Sequence, residues 1–324
     1  MYNIAIIGSG QLGSRHLQGL AKIDMEINIE VVDLNVQSLE LARKRYEEIP
    51  ANPNVKSISF FQSIEDLNNS LDLVIVATNA DIRYELVVQL LRAKKVKNII
   101  LEKIVFQRVK EFDNIIKLFE QNKIKCWVNC PRRVFPFYRD LKSMISPGEA
   151  VSISVQGGDW GMACNSIHYL DLLAYLSQDT NLLVDATHLN SELISSKREG
   201  FYEVSGLLIG NIGDNRITLW GGKKEVPTII TLMTESLVVI IDEGRGIIQS
   251  ARKDSNWEWT REEKKIVYYQ SELTHLVAKD ILIGGECELA SLHDSAELHK
   301  PFLTELIRFY NKQTGSYIDY CPIT

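Results

Sequence analysis

Apolar runs and helix-spaced apolar positions alternate along the first 130 residues. Short runs rich in isoleucine and valine at 3–7, 28–32, 57–61, 73–77, 98–101 and 125–129 predict strands. Between them, 12–23, 37–48, 84–93 and 109–121 repeat apolar residues at helical spacing. This alternation predicts an α/β fold, a doubly wound Rossmann-type parallel sheet with right-handed crossovers. Strands rich in isoleucine and valine suit a sheet covered on both faces.

The pattern changes near residue 146. Ser146, Pro147 and Gly148 form a turn signal, 150–156 alternates as a half-buried strand, and 162–176 reads as a helix. Further β-like runs occupy 183–189, 202–209, 216–220, 228–233 and 237–241. Gly210-Asn211, Gly213-Asp214-Asn215 and Gly244-Arg245-Gly246 punctuate them, which predicts a large, mostly antiparallel sheet. Helices are expected at 273–283 and 301–312, the latter with Pro301 in its first turn. The expected domains are 1–125 and 126–324, with the terminal helix able to pack back on the first.

Composition narrows the function classes. A chain of 324 residues suggests two domains, and 45% apolar with 24% charged residues is ordinary for a globular protein. A net charge of −6 argues against a nucleic-acid partner, and the basic stretches at 92–97 and 43–45 fit helix ends and faces. No apolar run reaches the roughly 18 residues of a membrane span. The first strand starts at Tyr2, leaving no room for a signal peptide, and five scattered cysteines fit a reducing compartment. The cytoplasm is the expected location. Cys126 and Cys130 lie four apart without a second ligand pair, so no metal site is expected.

The opening motif is more specific. Gly8, Gly10 and Gly13 are spaced G-x-G-x-x-G after a strand and before a helix. Gly8 permits the sharp turn, Gly10 lets a pyrophosphate approach the backbone, and Gly13 allows close helix–strand packing. The helix beginning near Gln11 and Leu12 offers free N–H groups to phosphate. Asp33 ends the next strand, placed to accept from ribose hydroxyls and to repel a 2′-phosphate. Leu34 supplies no replacing cation, so NAD is favoured over NADP. Read alone, Asp33 is also an ordinary strand-end acid in a turn. Thr78 and Asn79 after the fourth strand, and Glu102 and Lys103 after the fifth, fall at the sheet edge where such folds place ligands. A Glu-Lys pair after a strand is otherwise usually solvated surface.

A third cluster runs from Cys164 to Asp171. At helical spacing Cys164, Asn165 and His168 share a face, and Asp171 follows His168 by three, placed to orient its imidazole. Such a histidine suits proton transfer near neutral pH, although a core histidine held by a helical neighbour fits this segment equally well.

Together these pieces resemble the Gfo/Idh/MocA oxidoreductase family over nearly the whole chain. Matching positions are Gly8 to Gly13, Asp33, Ala77-Thr78, Glu102-Lys103, Asn129, Arg133, Pro136, His168 and Asp171. The resemblance implies an N-terminal Rossmann domain and a C-terminal α/β domain for substrate binding and oligomerisation. It also implies a homodimer or homotetramer through the large sheet, and a sugar, inositol or sugar-nucleotide substrate. Carried over, Lys103 is the active-site lysine and His168 the histidine of the second domain, with Arg133, Asn165 and Tyr169 as substrate contacts. The family pattern Glu-Lys-Pro reads Glu-Lys-Ile here, at Ile104. Cys164 stands where an aspartate is usual, and Arg83 near a usual histidine. The expected activity is NAD-dependent hydride transfer at a carbinol or carbonyl carbon of a polyhydroxylated small molecule. The alternatives are an NAD-binding non-catalytic homologue and an amino-acid dehydrogenase of the homoserine or aspartate type. The last needs a carboxylate anchor, for which Arg83, Arg132 and Arg133 are the candidates.

Overall fold

The computed structural model describes residues 1–324. The chain forms two compact units, Met1–Phe106 with Asp113–Asn129 and Tyr268–Leu292, and Gln107–Phe112 with Cys130–Val267 and His293–Thr324. A single cut after residue 125 therefore does not describe the division, because the chain re-enters the first unit at Tyr268.

The first unit begins β1 (Tyr2–Ile7), α1 (Gly13–Leu20), β2 (Ile27–Val32), α2 (Val36–Glu47), β3 (Val55–Phe61) and β4 (Leu73–Val76). α3 (Ala80–Ala93), β5 (Asn98–Glu102), α4 (Val109–Asn122) and β6 (Lys125–Asn129) follow. The six strands are parallel in the order β6-β5-β4-β1-β2-β3. Strand order reverses beside β1, which opens a switch-point crevice at the carboxyl ends of β1 and β4. Ile4, Ile6, Leu73, Ile75 and Ile99 are fully buried, as expected for a sheet covered on both faces.

Register decides which residues meet at that edge. Ile7 pairs with Val32 and with Val76, Val76 pairs with Leu101, and Glu102 pairs with Asn129. The next residues along these strands, Gly8, Asp33, Ala77 and Glu102, therefore lie at one level of the sheet edge.

The second unit carries α5 (Pro136–Met144), β7 (Ser152–Gly158), α6 (Met162–Ser177) and β8 (Leu182–Asp185). The strands β9 (Gly206–Ile212), β10 (Asn215–Gly222), β11 (Val226–Met233), β12 (Leu237–Asp242), β13 (Ile247–Arg252) and β14 (Trp259–Glu263) complete its sheet. Its order is β8-β9-β10-β7-β11-β12-β13-β14, antiparallel except for the β7–β10 pair. Buried positions alternate along β9, β10 and β12, and α6 covers the buried face, with Gly210 against Leu170 and Gly221 against Met162.

The chain then returns to the first unit as α7 (Gln270–Lys279) and β15 (Ala290–Ser291), which adds antiparallel to β6. α7 packs on α1 at Gly19, where an added Cβ would lie 2.6 Å from the carbonyl oxygen of Gln270. The last helix, α8, spans Leu292–Thr314, so Pro301 lies inside it and not in its first turn. Leu292, Ala296, Leu298 and Phe302 bury one face through that point, which offsets the hydrogen bond the proline removes.

Other boundaries also differ from expectation. The run expected at 183–189 stops at Asp185, whose Oδ1 accepts from Thr187 N at 2.8 Å and turns the chain. The run at 202–209 breaks between Tyr202–Glu203 and β9, where Gly206 adopts φ +108°. α5, β13 and β14 were not anticipated; β14 is exposed on both faces and so carries no alternation.

Candidate functional site

In the first unit the glycine loop has the conformation its spacing demands. Gly8 adopts φ +88°, and a Cβ there would lie 2.8 Å from Thr78 N. A Cβ on Gly13 would lie 1.8 Å from the Gly8 carbonyl oxygen, so helix and strand approach closely only with glycine. At Gly10 nothing stands within 4 Å of such a Cβ. That open backbone, and the start of α1 at Leu12 without a side-chain cap, form a cradle suited to a pyrophosphate. Gln11 is held from α2: Arg45 donates to its carbonyl oxygen at 3.0 Å and to its Oε1 at 2.6 Å. Arg45, read as a solvated helix residue, thus shapes this loop.

Asp33 is half-buried at the end of β2. Its Oδ2 accepts from Ser9 N at 2.7 Å and its Oδ1 from Asn35 N at 2.9 Å, which ties the strand end to the glycine loop. The neighbouring Leu34 is 84% exposed and offers no cation. Thr78 carries a buried hydroxyl with no hydrogen-bond partner, beside the turn at Gly8. Asn79 is exposed at the start of α3, with no capping bond from its side chain. An orphaned hydroxyl, an uncapped helix start and a cradle that a Cβ at Gly8 or Gly13 would block fit a dinucleotide.

Glu102 is buried, and its Oε1 accepts from Asn129 Nδ2 and lies 2.8 Å from His16 Nε2. His16 Nδ1 in turn lies 2.9 Å from Thr274 Oγ1 on α7. The Glu102 carboxylate is therefore engaged within the unit. Sequence reasoning did not single out His16; its place about one turn after Gly13 in the helix that follows the glycine motif was the available signal. Lys103 is the half-buried residue directly after β5.

Arg83 is 1% exposed, and its guanidinium donates to the main-chain carbonyls of Thr78, Glu102, Ile104 and Val105. All peptide bonds are trans, including Lys103–Ile104.

In the second unit His168 is half-buried on α6, on the face shared with half-buried Cys164 and Asn165, as the spacing predicted. The Cys164 thiol donates to Gly161 O at 3.4 Å, and Asn165 Nδ2 donates to Trp160 O at 2.7 Å. Asp171 does not follow expectation: its ion pair is with Arg133, whose Nε donates to Oδ2 at 2.8 Å. Burial raises the Asp171 carboxyl above its usual range, against the pull of Arg133. Tyr169 is buried, with the Arg132 guanidinium 4.2 Å from its ring centroid and Trp160 edge-on to it. Arg132 binds Glu243 through two nitrogens, at 2.9 and 2.6 Å, and Tyr138 donates to the same carboxylate. Arg133 and Tyr169, expected at substrate, thus serve packing and ion pairing inside the unit. Trp160, Cys164, Asn165, Arg198 and Lys223 line a cavity of about 780 Å³ at the start of α6. No group of three or more His, Cys, Asp or Glu stands together in either unit as a metal site would need. No helix is long and apolar enough to cross a membrane.

Residues 2–130 match the family model described as Gfo/Idh/MocA, oxidoreductase family, NAD-binding Rossmann fold. This part of the chain is similar to the NAD-binding domain of that family. The glycine loop, Asp33, Thr78 and Glu102-Lys103 all lie within the matched residues. Among solved structures the chain is similar to the UDP-N-acetylglucosamine 3-dehydrogenase GnnA from Acidithiobacillus ferrooxidans. That likeness has a TM-score of 0.70 at 14% identity, over 94% of this chain and 96% of that one. It is also similar to an Agrobacterium radiobacter oxidoreductase in complex with NAD+, L-tartaric acid and magnesium (TM-score 0.70, 14% identity, 93% and 94% covered). A Gfo/Idh/MocA family oxidoreductase from Vibrio cholerae gives a TM-score of 0.69 at 17% identity, over 98% of this chain and 100% of that one. At these identities the likeness is one of fold. No curated protein matches the chain in sequence.

Proposed function

We propose that the chain is an NAD-dependent dehydrogenase or reductase acting on a carbinol or carbonyl carbon of a sugar, inositol or sugar nucleotide. The observation that carries this reading is the shared level of Gly8, Asp33, Ala77 and Glu102 at one sheet edge, with Lys103 next in the chain. NAD, when bound, accepts or supplies the hydride. The open backbone at Gly10 and the N–H groups of Gln11 and Leu12 receive phosphate, Asp33 receives ribose hydroxyls, and Thr78 and Asn79 supply further polar contacts. The carboxylate of Asp33, beside a residue with no cation, supports NAD over NADP.

Lys103, as an ammonium, hydrogen-bonds the substrate oxygen as that atom gains negative charge. His168 takes or returns the hydroxyl proton. The cavity at the start of α6, with a mixed polar and apolar lining that includes Asn165, has a size suited to a polyhydroxylated molecule. Arg83, Arg132 and Arg133 are each committed to partners within their own unit, which weighs against a carboxylate anchor and so against an amino-acid substrate. The uncovered face of the large sheet carries exposed Trp220 and Met233, which supports a homodimer or homotetramer through that sheet. Five free thiols support a cytoplasmic setting.

The test is NAD-linked turnover of Lys103→Met and His168→Ala over a panel of sugars, inositols and sugar nucleotides. Large losses with NAD affinity retained are expected. Undiminished turnover in both variants removes the assigned roles, and tight NAD binding with no turnover by the parent favours a non-catalytic homologue.

A further inference from the structure

The buried guanidinium of Arg83 is out of keeping with its place on a helix, where an arginine ordinarily reaches solvent. It turns instead toward the carboxyl edge of the parallel sheet. Nη1 donates to the main-chain carbonyls of Glu102 at 2.6 Å and Val105 at 2.9 Å, and to that of Ile104; Nη2 donates to that of Thr78. Three of these carbonyls bracket Lys103. The fourth belongs to the segment after β4. One planar cation thus ties two neighbouring loops together at the point where Lys103 leaves the sheet.

Proline does not stiffen this segment. Residues 102–106 contain no proline, and the Lys103–Ile104 bond is trans. Lysine could not take over the task, because an ammonium is a point donor whereas the guanidinium presents a rigid fork aimed along several directions. Ile104, Val105 and Phe106 are fully buried, so the backbone after Lys103 is held by packing on one side and by Arg83 through its carbonyls.

We propose that Arg83 is a positioning residue for Lys103: by clamping the backbone at Glu102, Ile104 and Val105 against Thr78, it sets where the Lys103 ammonium points. This rests on the reading of Lys103 as the group that holds the substrate oxygen. Arg83 itself touches neither substrate nor cofactor in this role.

The experiment uses the full chain in four forms: the parent, Arg83→Lys, Lys103→Met and the double variant. Amide hydrogen exchange is read first. In the parent the amides of residues 103–106 are expected to exchange slowly although they lie beyond β5. In Arg83→Lys, exchange is expected to quicken at 78–80 and 103–106 alone. Fast exchange there in the parent, no change in the variant, or quickening spread over the whole unit overturns the clamp. The parent measurement decides even if the variant does not fold. Turnover is read second, with whichever of myo-inositol and UDP-N-acetylglucosamine the parent oxidises. Arg83→Lys is expected to lower kcat by roughly 10²-fold with KM little altered, as for a misplaced catalytic group. It is expected to cost nothing further on the Lys103→Met background. Losses that multiply in the double variant overturn the positioning role. Parental turnover by Lys103→Met instead overturns the functional reading of Lys103, while the exchange pattern still decides whether Arg83 holds this backbone.

Discussion

His16 Nε2 lies 2.8 Å from Glu102 Oε1, with both side chains almost wholly buried in the first unit. On its other side His16 Nδ1 lies 2.9 Å from Thr274 Oγ1, so both ring nitrogens are engaged within the unit. His16→Ala leaves a buried acid with a lost partner, and is expected to cost about 3–5 kcal/mol in urea unfolding. Replacing both residues by apolar ones of similar volume is expected to cost less than the sum of the single changes. Strict additivity would contradict the pairing.

Gly10 and Gly13 are expected to respond in opposite ways to the same substitution. Gly13→Ala forces a Cβ into the Gly8 carbonyl and should destabilise the fold by more than 1 kcal/mol, an order-of-magnitude figure for overpacking. Gly10→Ala places its Cβ in open space, so thermal stability is expected to hold while NAD affinity falls. Calorimetric titration with NAD beside thermal melting separates the two. An unaltered NAD affinity in Gly10→Ala would remove the pyrophosphate from this cradle.

Asp33 sets cofactor preference. The double change Asp33→Ser with Leu34→Arg removes a carboxylate and adds a cation where the 2′-phosphate would lie. The ratio of NADP to NAD affinity is expected to rise by at least tenfold, about 1.4 kcal/mol. NAD affinity alone is also expected to fall, because Ser9 N loses its acceptor. A parent that already prefers NADP would contradict the assignment.

Asp171 gives a pH signature to the second unit. Burial, its largest influence, raises this carboxyl, and Arg133 opposes the shift. A carboxyl that holds its proton more tightly when folded contributes stability below its unfolded value, about pH 3.9. That contribution is lost as pH rises through the raised folded value. Stability of the parent relative to Asp171→Asn is therefore expected to decline with rising pH, in a window opening near pH 4 (about the unfolded value). Urea unfolding across that range checks the sign; a difference that grows with pH would contradict it.

The strand–helix order of the first unit was legible because most of its strands are rich in isoleucine, valine or leucine and the stretches between them repeat apolar residues at helical spacing. The cofactor cradle was legible because each glycine answers a local backbone demand. Residues that work across long sequence separations were not. Arg45 read as a solvated helix residue and Arg83 as a candidate carboxylate anchor, since a charged side chain turned inward leaves no periodic trace. The return of α7 to the first unit depends on Gly19 meeting Gln270 and Thr274, which no local pattern encodes. Asp171 was matched to His168 by helical spacing, but Arg133, distant in sequence, provides its ion pair. Spacing identified the shared face of Cys164, Asn165 and His168 and could not rank partners from other elements.

The most direct measurement of the central claim is isotope transfer. The protein is incubated with NADH deuterated at the transferable hydride position and a pool of keto-sugars, keto-inositols and keto-sugar nucleotides, and the products are weighed by mass spectrometry. The account predicts a reduced product carrying one deuterium on carbon, its yield strongly lowered by Lys103→Met and by His168→Ala. Tight binding of NADH with no deuterium on any member of the pool would contradict it.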